Sequence, residues 1–357
     1  MFPSLFTRVK FFLSSRVFVI TIIIMVTSIL LWWIWKLCTK KAEKVTKVVH
    51  DIIGRTTPRN MNGKPRECLS TETDIKYQKG DTYIVTYPKT GTTVVQYMCH
   101  LLRTNGRGTD FEDIHQVCPH TSSAWYIGQD LNAPQCAAPR LFKTHRELQQ
   151  VAPFAKGIKY IATIRDPIPT LISVYTFKLE RGEIKEDTTI TDYAKSSKWT
   201  TSHNEGCIST IYDHIATFWR CCHANATGFL LLPYEDLVLE RKKWLPIIAQ
   251  FMDITSTSDV IAHVSDLTSK EAMLKDVAKF DESWCERQRD RIGRAHPTIK
   301  KSAPKVKVNN SKLLAETLAN KEIMALNAKL WAEKVKSVTG FKNYEEMRTA
   351  LVQMHFP

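Results

Sequence analysis

Thr82 to Leu102 reads TYIVTYPKTGTTVVQYMCHLL, and this stretch decides the fold. Tyr83, Val85 and Tyr87 alternate with Ile84 and Thr86, a pattern that predicts a buried β-strand. Pro88 stops the strand, and Gly91 lets the backbone approach a ligand closely. Thr92 and Thr93 stand where a helix begins, so their amides and hydroxyls can point at an anion. Lys89 and Thr90 complete the turn, Lys89 with a mobile positive charge. Val94, Val95, Met98, Leu101 and Leu102 recur at helical spacing and pack the helix on the sheet. The plain alternative is an ordinary strand-to-helix turn with a solvated lysine. A Walker A loop is excluded, because it needs four residues between its glycines and Lys before Ser or Thr, whereas here Lys precedes a single Gly.

Two later segments have the same character. Ile158 to Phe177 reads IKYIATIRDPIPTLISVYTF: a second buried strand ends at Arg165, and Asp166-Pro167 opens a helix that carries Ser173 on its first turns. An arginine at a strand end beside a helical hydroxyl suits a phosphate, although a local salt bridge to Asp166 is the simpler reading of that pair. Between the two lies RLFKTHREL, where Leu141 and Phe142 form a short strand followed by Lys143, Thr144 and His145. A neutral imidazole with a pKa of about 6.5 can accept a proton near physiological pH.

Together, Tyr87 to Thr93, Lys143 to His145 and Arg165 to Phe177 resemble the sulfotransferases of the cytosolic type, which use 3'-phosphoadenosine 5'-phosphosulfate (PAPS). The resemblance covers roughly residues 65 to 347. It implies an α/β fold with a P-loop-like parallel sheet flanked by helices. It also implies that Lys89, Thr90, Gly91, Thr92 and Thr93 form the 5'-phosphosulfate loop, that Arg165 and Ser173 hold the 3'-phosphate, and that His145 is the general base. Tyr234 in LLLPYEDL takes the place of the tyrosine near the adenine, and Thr268 and Ser269 match a Thr-Ser-Phe element in which Lys270 replaces the Phe. Val94 stands where the family usually has Trp, and the 3'-phosphate clamp near the C-terminus survives as Lys300-Lys301-Ser302 without its glycine. These departures bear on adenine stacking and donor affinity more than on the transfer centre.

The chemistry implied is in-line transfer of a sulfuryl group to an acceptor hydroxyl or amine, mostly by positioning and charge neutralisation, by analogy with phosphoryl transfer. Lys89 stabilises the leaving group, Lys143 the sulfuryl oxygens, and His145 deprotonates the acceptor, a small molecule or a glycan. No metal is expected, since no His/Cys/Asp/Glu run has ligand spacing and Cys221-Cys222-His223 is too compact for zinc. A catalytically silent nucleotide-binding relative is the alternative.

Around this site the 357 residues divide into a basic segment 1–16, an apolar span 17–35, a basic linker 36–66 and a domain over 67–357. Val17 to Trp35 carries no charge, lies between Arg16 and Lys36 and ends in Trp32, Trp33 and Trp35, which predicts a transmembrane helix rather than a cleaved signal. Basic residues after the span slightly outnumber those before it, which favours a cytoplasmic catalytic domain, and nine unpaired-looking cysteines agree. Two sequons, at Asn225 and Asn309, and the Golgi sulfotransferases argue for the lumen instead. Helices are expected over 191–197, 208–224, 244–252 and 313–338, with 297–311 a lid. Fifty Lys and Arg against 36 Asp and Glu give a net charge of +14, suited to a polyanionic nucleotide or an anionic membrane. No nucleic-acid signature accompanies the charge. Trp125, Tyr126, Phe154 and Tyr175 are candidate acceptor walls, and oligomeric state is not legible.

Overall fold

The computed structural model describes residues 22–37, 40, 75–148, 151, 157–201, 210–224, 227–294 and 311–356. Two units separate, 1–51 and 52–357. In the first, 22–37 is helical with every residue exposed, Trp32 meets Trp33 edge-on and Lys36 lies over the Trp32 ring. Part of the expected span, 17–21, lies outside the described residues. Among those described, no helix is long and apolar enough to cross a membrane.

Among the described residues of the second unit four strands, β1 (Thr82–Val85), β2 (Leu141–Thr144), β3 (Lys159–Ile164) and β4 (Phe229–Pro233), form one sheet in the order β2-β1-β3-β4, every pair parallel. A parallel sheet needs both faces covered, and the sequence supplies the cover. α1 (Thr92–Arg103) places Val95, Met98, Leu101 and Leu102 on Ile84, Leu141 and Ile161. α2 (Pro167–Glu180) follows β3, and α3 (Ile211–Ala224) precedes β4. α4 (Arg241–Phe251) and α5 (Ser258–Leu267) add Trp244, Ile248, Ile261 and Val264 to the α1 side of the core.

Register aligns Tyr83 with Phe142 and with Tyr160, and Tyr160 with Phe229. The result is an aromatic row across all four strands, with Tyr83 stacked on Phe142 and Tyr160 on Phe229, both at 5.0 Å. Such pairs add roughly 0.5–1.5 kcal/mol each beyond area burial. A buried ion pair between Arg140 and Asp81, 2.6 Å apart, ties the residues just before β2 and β1.

Toward the C-terminus come α6 (Ser283–Ile292), α7 (Ser311–Ala319), α8 (Lys321–Leu330) and α9 (Tyr344–His355), and shorter helices lie between the named elements. The single helix expected over 313–338 is therefore broken. Asn320 interrupts it, its side chain accepting from the Glu322 and Ile323 amides as the cap of α8, and 331–336 continues as a π-helical turn. The expected lid at 297–311 lies almost wholly outside the described residues. The helix expected from 208 begins at Ile211 in the described chain, and that expected from Trp244 begins earlier, at Arg241.

Candidate active site

All four strands point their carboxyl ends to one edge of the sheet, where open α/β folds bind ligands. The segments leaving there are Thr86–Gly91 after β1, His145 after β2, Arg165 after β3 and Tyr234 after β4. Because β1 is central, its loop lies between the exits of β2 and β3.

The loop is tightly built. Thr90 is fully buried; its hydroxyl donates to the Tyr87 carbonyl at 2.7 Å and meets the Thr163 hydroxyl on β3 at 2.7 Å. Thr90 is thus an anchor of the loop, through a partner that nothing in the sequence singled out. The Thr92 hydroxyl also turns inward, to Thr86 at 2.7 Å, while Thr93 is half-buried. Gly91 precedes α1 with φ 99°, and no side chain caps the helix start, so the first-turn amides keep their pull on an anion. A Cβ at Gly91 would stand 2.4 Å from Cδ2 of Tyr234, so the ring of the Tyr-Glu-Asp turn is pressed against the loop backbone. Lys89 has φ 67°, a left-handed conformation that favours glycine. Its ammonium lies over the Phe177 ring, 4.3 Å from the centroid.

Arg165 joins the same assembly. Its Nη1 donates to the Lys89 carbonyl at 2.6 Å, and the guanidinium lies 4.6 Å over the Tyr234 ring. Asp166 does not form the simple pair with Arg165; its Oδ1 accepts from the Ile168 amide and caps α2. Burial first, and Glu235 further down, raise its pKa, against the lowering pull of that amide and Arg165. Ser173 is half-buried in the second turn of α2, and Tyr175 on the next turn donates to the Thr188 carbonyl at 2.8 Å.

On the other side of β1, Lys143 is buried within β2 rather than beyond it. His145 follows, half-buried, with Nδ1 2.9 Å from the Thr86 carbonyl. A carbonyl only accepts, so Nδ1 carries the proton and the neutral ring's lone pair is on Nε2. His120 is a residue the sequence did not reveal. It bridges to the backbone of Lys143, its ring meets His145 edge-on at 5.3 Å, and its Nε2 lies 3.0 Å from the Ser122 hydroxyl. Burial, then Lys143, His145 and His115, hold its pKa well below the ordinary value, so it stays neutral.

Behind His120 lies a buried group in which Asp113, His115 and Cys285 bring donor atoms within 4.8 Å of one another. Cys285 is 172 positions from Asp113, which hid the group from any reading of local spacing. His115 Nδ1 is 2.6 Å from Asp113 Oδ1, and its Nε2 faces Glu282 at 3.9 Å. Two ligands of one tetrahedral zinc stand roughly 3.3 Å apart, so the short contact fits a hydrogen bond. The imidazole lies between two carboxylates, and Glu282 pairs onward with Arg181 at 2.8 Å.

The more distant candidates have local partners. Thr268 is buried at the end of α5 with its hydroxyl on the Val264 carbonyl, and Ser269 caps the next short helix; Lys270 is exposed. Trp125 is exposed beneath Arg294, which stacks on its ring at 4.3 Å and donates to its carbonyl. Tyr126 packs edge-on against Trp125. Phe154, Lys300 and Lys301 lie outside the described residues.

The sequence profile of the sulfotransferase domain matches residues 79–309. Cytosolic sulfotransferase 10 of Arabidopsis thaliana is 24% identical over 204 residues, 52% of this chain and 60% of the relative. Sulfotransferase 1C2 of Rattus norvegicus is 24% identical over 206 residues, 56% of this chain and 67% of the relative. The chain thus matches about three fifths of the first relative's length. A crystal structure of retinol dehydratase in complex with retinol and PAP superposes with a TM-score of 0.58 at 14% identity, over 74% of this chain and 84% of that one, a likeness of fold. The profile match spans more than half of the sequence, and the chain belongs to the sulfotransferase domain family.

Proposed function

We propose that this protein moves a sulfuryl group from PAPS to a hydroxyl or amine of a small-molecule or glycan acceptor. The observation that carries this reading is the shared sheet edge, where the Thr86–Gly91 turn receives Arg165 from one side, at the Lys89 carbonyl, and His145 from the other, at the Thr86 carbonyl. The Lys89 ammonium and the backbone amides of Thr90, Gly91, Thr92 and Thr93, with Arg165, Ser173 and Tyr234, hold the donor, which supplies the activated sulfuryl group. An uncapped helix start beside a guanidinium and a lysine fits its phosphates.

His145 takes the acceptor's proton on Nε2 as the new bond to sulfur forms. Lys89 leaves the Phe177 ring and neutralises the phosphate oxygen released as the old bond breaks. Lys143 offsets charge on the sulfuryl oxygens. Residues 17–35 anchor the enzyme in a membrane as one pass, with the catalytic domain on the cytoplasmic face by the basic-residue count, or in the Golgi lumen.

A silent, nucleotide-binding relative is the second reading, favoured by Val94 and Lys270 at two positions where an aromatic residue is expected. Measuring adenosine 3',5'-bisphosphate (PAP) binding separately from transfer of labelled sulfate to a broad acceptor panel tests both. Binding with transfer supports the enzyme, binding without any transfer supports the silent relative, and no binding overturns both.

A further inference from the structure

The profile match ends at residue 309, yet α9, far beyond it, reaches back to the donor side of the sheet. We propose that α9 is a positioning element of the donor site, in which Tyr344 and Arg348 hold the Glu235-Asp236 turn and so fix Arg165 and Tyr234 against the Lys89 loop. This rests on the reading of Arg165 and Tyr234 as donor-binding residues.

The connections run residue by residue. The Tyr344 hydroxyl, on a buried ring, donates to Glu235 Oε2. The other carboxylate oxygen, Oε1, accepts from the Asp166 amide at 3.2 Å. That amide follows Arg165 directly, and Arg165 grips the Lys89 carbonyl and stacks over Tyr234. Tyr234 precedes Glu235 and packs on Gly91. The circuit Lys89, Arg165, Asp166, Glu235, Tyr234, Gly91 therefore closes on itself, with Tyr344 holding it from behind. Arg348 adds a two-point grip on the next residue, Nε to Asp236 Oδ2 at 2.6 Å and Nη2 to Oδ1 at 3.0 Å. A paired fork of this kind fixes orientation as well as distance. Neither Tyr344 nor Arg348 touches a reacting atom in this account; each acts through the turn it holds.

The test uses the full chain and PAP as the probe. Tyr344→Phe keeps the ring packing and removes only the hydroxyl. It should weaken PAP binding about tenfold, the loss expected for one hydrogen bond to a charged group, with the acceptor KM unchanged. Arg348→Met should weaken PAP binding in the same direction. If the effect passes through Glu235, the double variant Tyr344→Phe/Glu235→Ala should bind no worse than Glu235→Ala alone. Unchanged PAP affinity in both single variants overturns the proposal, as does a loss of affinity that only tracks loss of folded protein. A wild-type chain that binds no PAP overturns the donor reading itself.

Discussion

The Nδ1 nitrogen of His145 donates to the carbonyl of Thr86 across 2.9 Å, tying the proposed base to the strand end that leads to Lys89. The bond fixes the tautomer and therefore which nitrogen can receive a proton. His145→Asn, whose amide reproduces a donor near the Nδ1 position, should keep thermal stability close to wild type. His145→Ala should lose about 1 kcal/mol. Both should lower turnover by about 10²–10⁴-fold, read by thermal melts and labelled-sulfate transfer.

Substitution at two backbone positions in the loop should lower stability at one and not at the other. Gly91→Ala forces a Cβ to 2.4 Å from the Tyr234 ring at φ 99° and should cost about 1–3 kcal/mol, with PAP affinity falling as the ring is displaced. Lys89→Gly, at φ 67°, relieves about 1 kcal/mol of left-handed strain and should raise Tm or leave it unchanged while transfer is lost.

Stability should fall on mild acidification. Burial holds His100 and His214 neutral, each with a pKa lowered to about 4; Arg103 lowers His100 further, while a backbone bond opposes the shift in both. In the unfolded chain they protonate near pH 6.5, so the unfolded state binds more protons below that pH. The stability they contribute is complete above about 6.5 and is lost as pH falls toward 4, at up to about 1.4 kcal/mol per pH unit for each group. Denaturant melts between pH 7 and 4 should show a slope to which His120, also held neutral by burial, adds, and His214→Gln should reduce it by up to about 1.4 kcal/mol per pH unit.

Thiol reactivity should be selective. Among the six cysteines in the described residues all are free, and Cys136 is the exposed one. Burial pushes the Cys118 thiol up to about 11 and Cys221 to about 12, and raises Cys99 and Cys222 further. Thiolate, not thiol, is the nucleophile. Peptide mapping after brief alkylation of the native chain should find label on Cys136 and none on Cys99, Cys118, Cys221 or Cys222.

The strand-turn-helix of Thr82–Leu102 was legible because its periodicity switches from two to 3.6 at a Pro-Lys-Thr-Gly turn, and local pattern determines both halves. Arg165, directly after an apolar run, and His145, with Lys143 and Thr144 between it and Leu141-Phe142, were legible through their match to the family's Arg-Asp-Pro and Lys-Thr-His segments rather than through local pattern alone. His120, Thr163 and Glu235 were not, since their roles come from parallel neighbours or packed turns 23 or more positions away in the chain. Thr90 and Thr92 look the same in sequence as ligand hydroxyls. Only burial beside Thr163 and Thr86 shows that they brace the loop. The break at Asn320 escaped notice because the apolar spacing continues through it, while the side-chain cap that starts α8 depends on one residue.

The central claim is that Lys89 and His145 serve one reacting centre, and a double-mutant cycle tests it most directly. Transfer of labelled sulfate from PAPS is measured in single turnover for Lys89→Ala, His145→Ala and the pair, with PAP binding checked alongside. The account predicts that each single variant slows transfer by at least about a hundredfold and that the double variant is scarcely slower than the worse single, as for groups acting as a unit. Wild-type turnover in either single variant, or losses that simply multiply in the double, would contradict it.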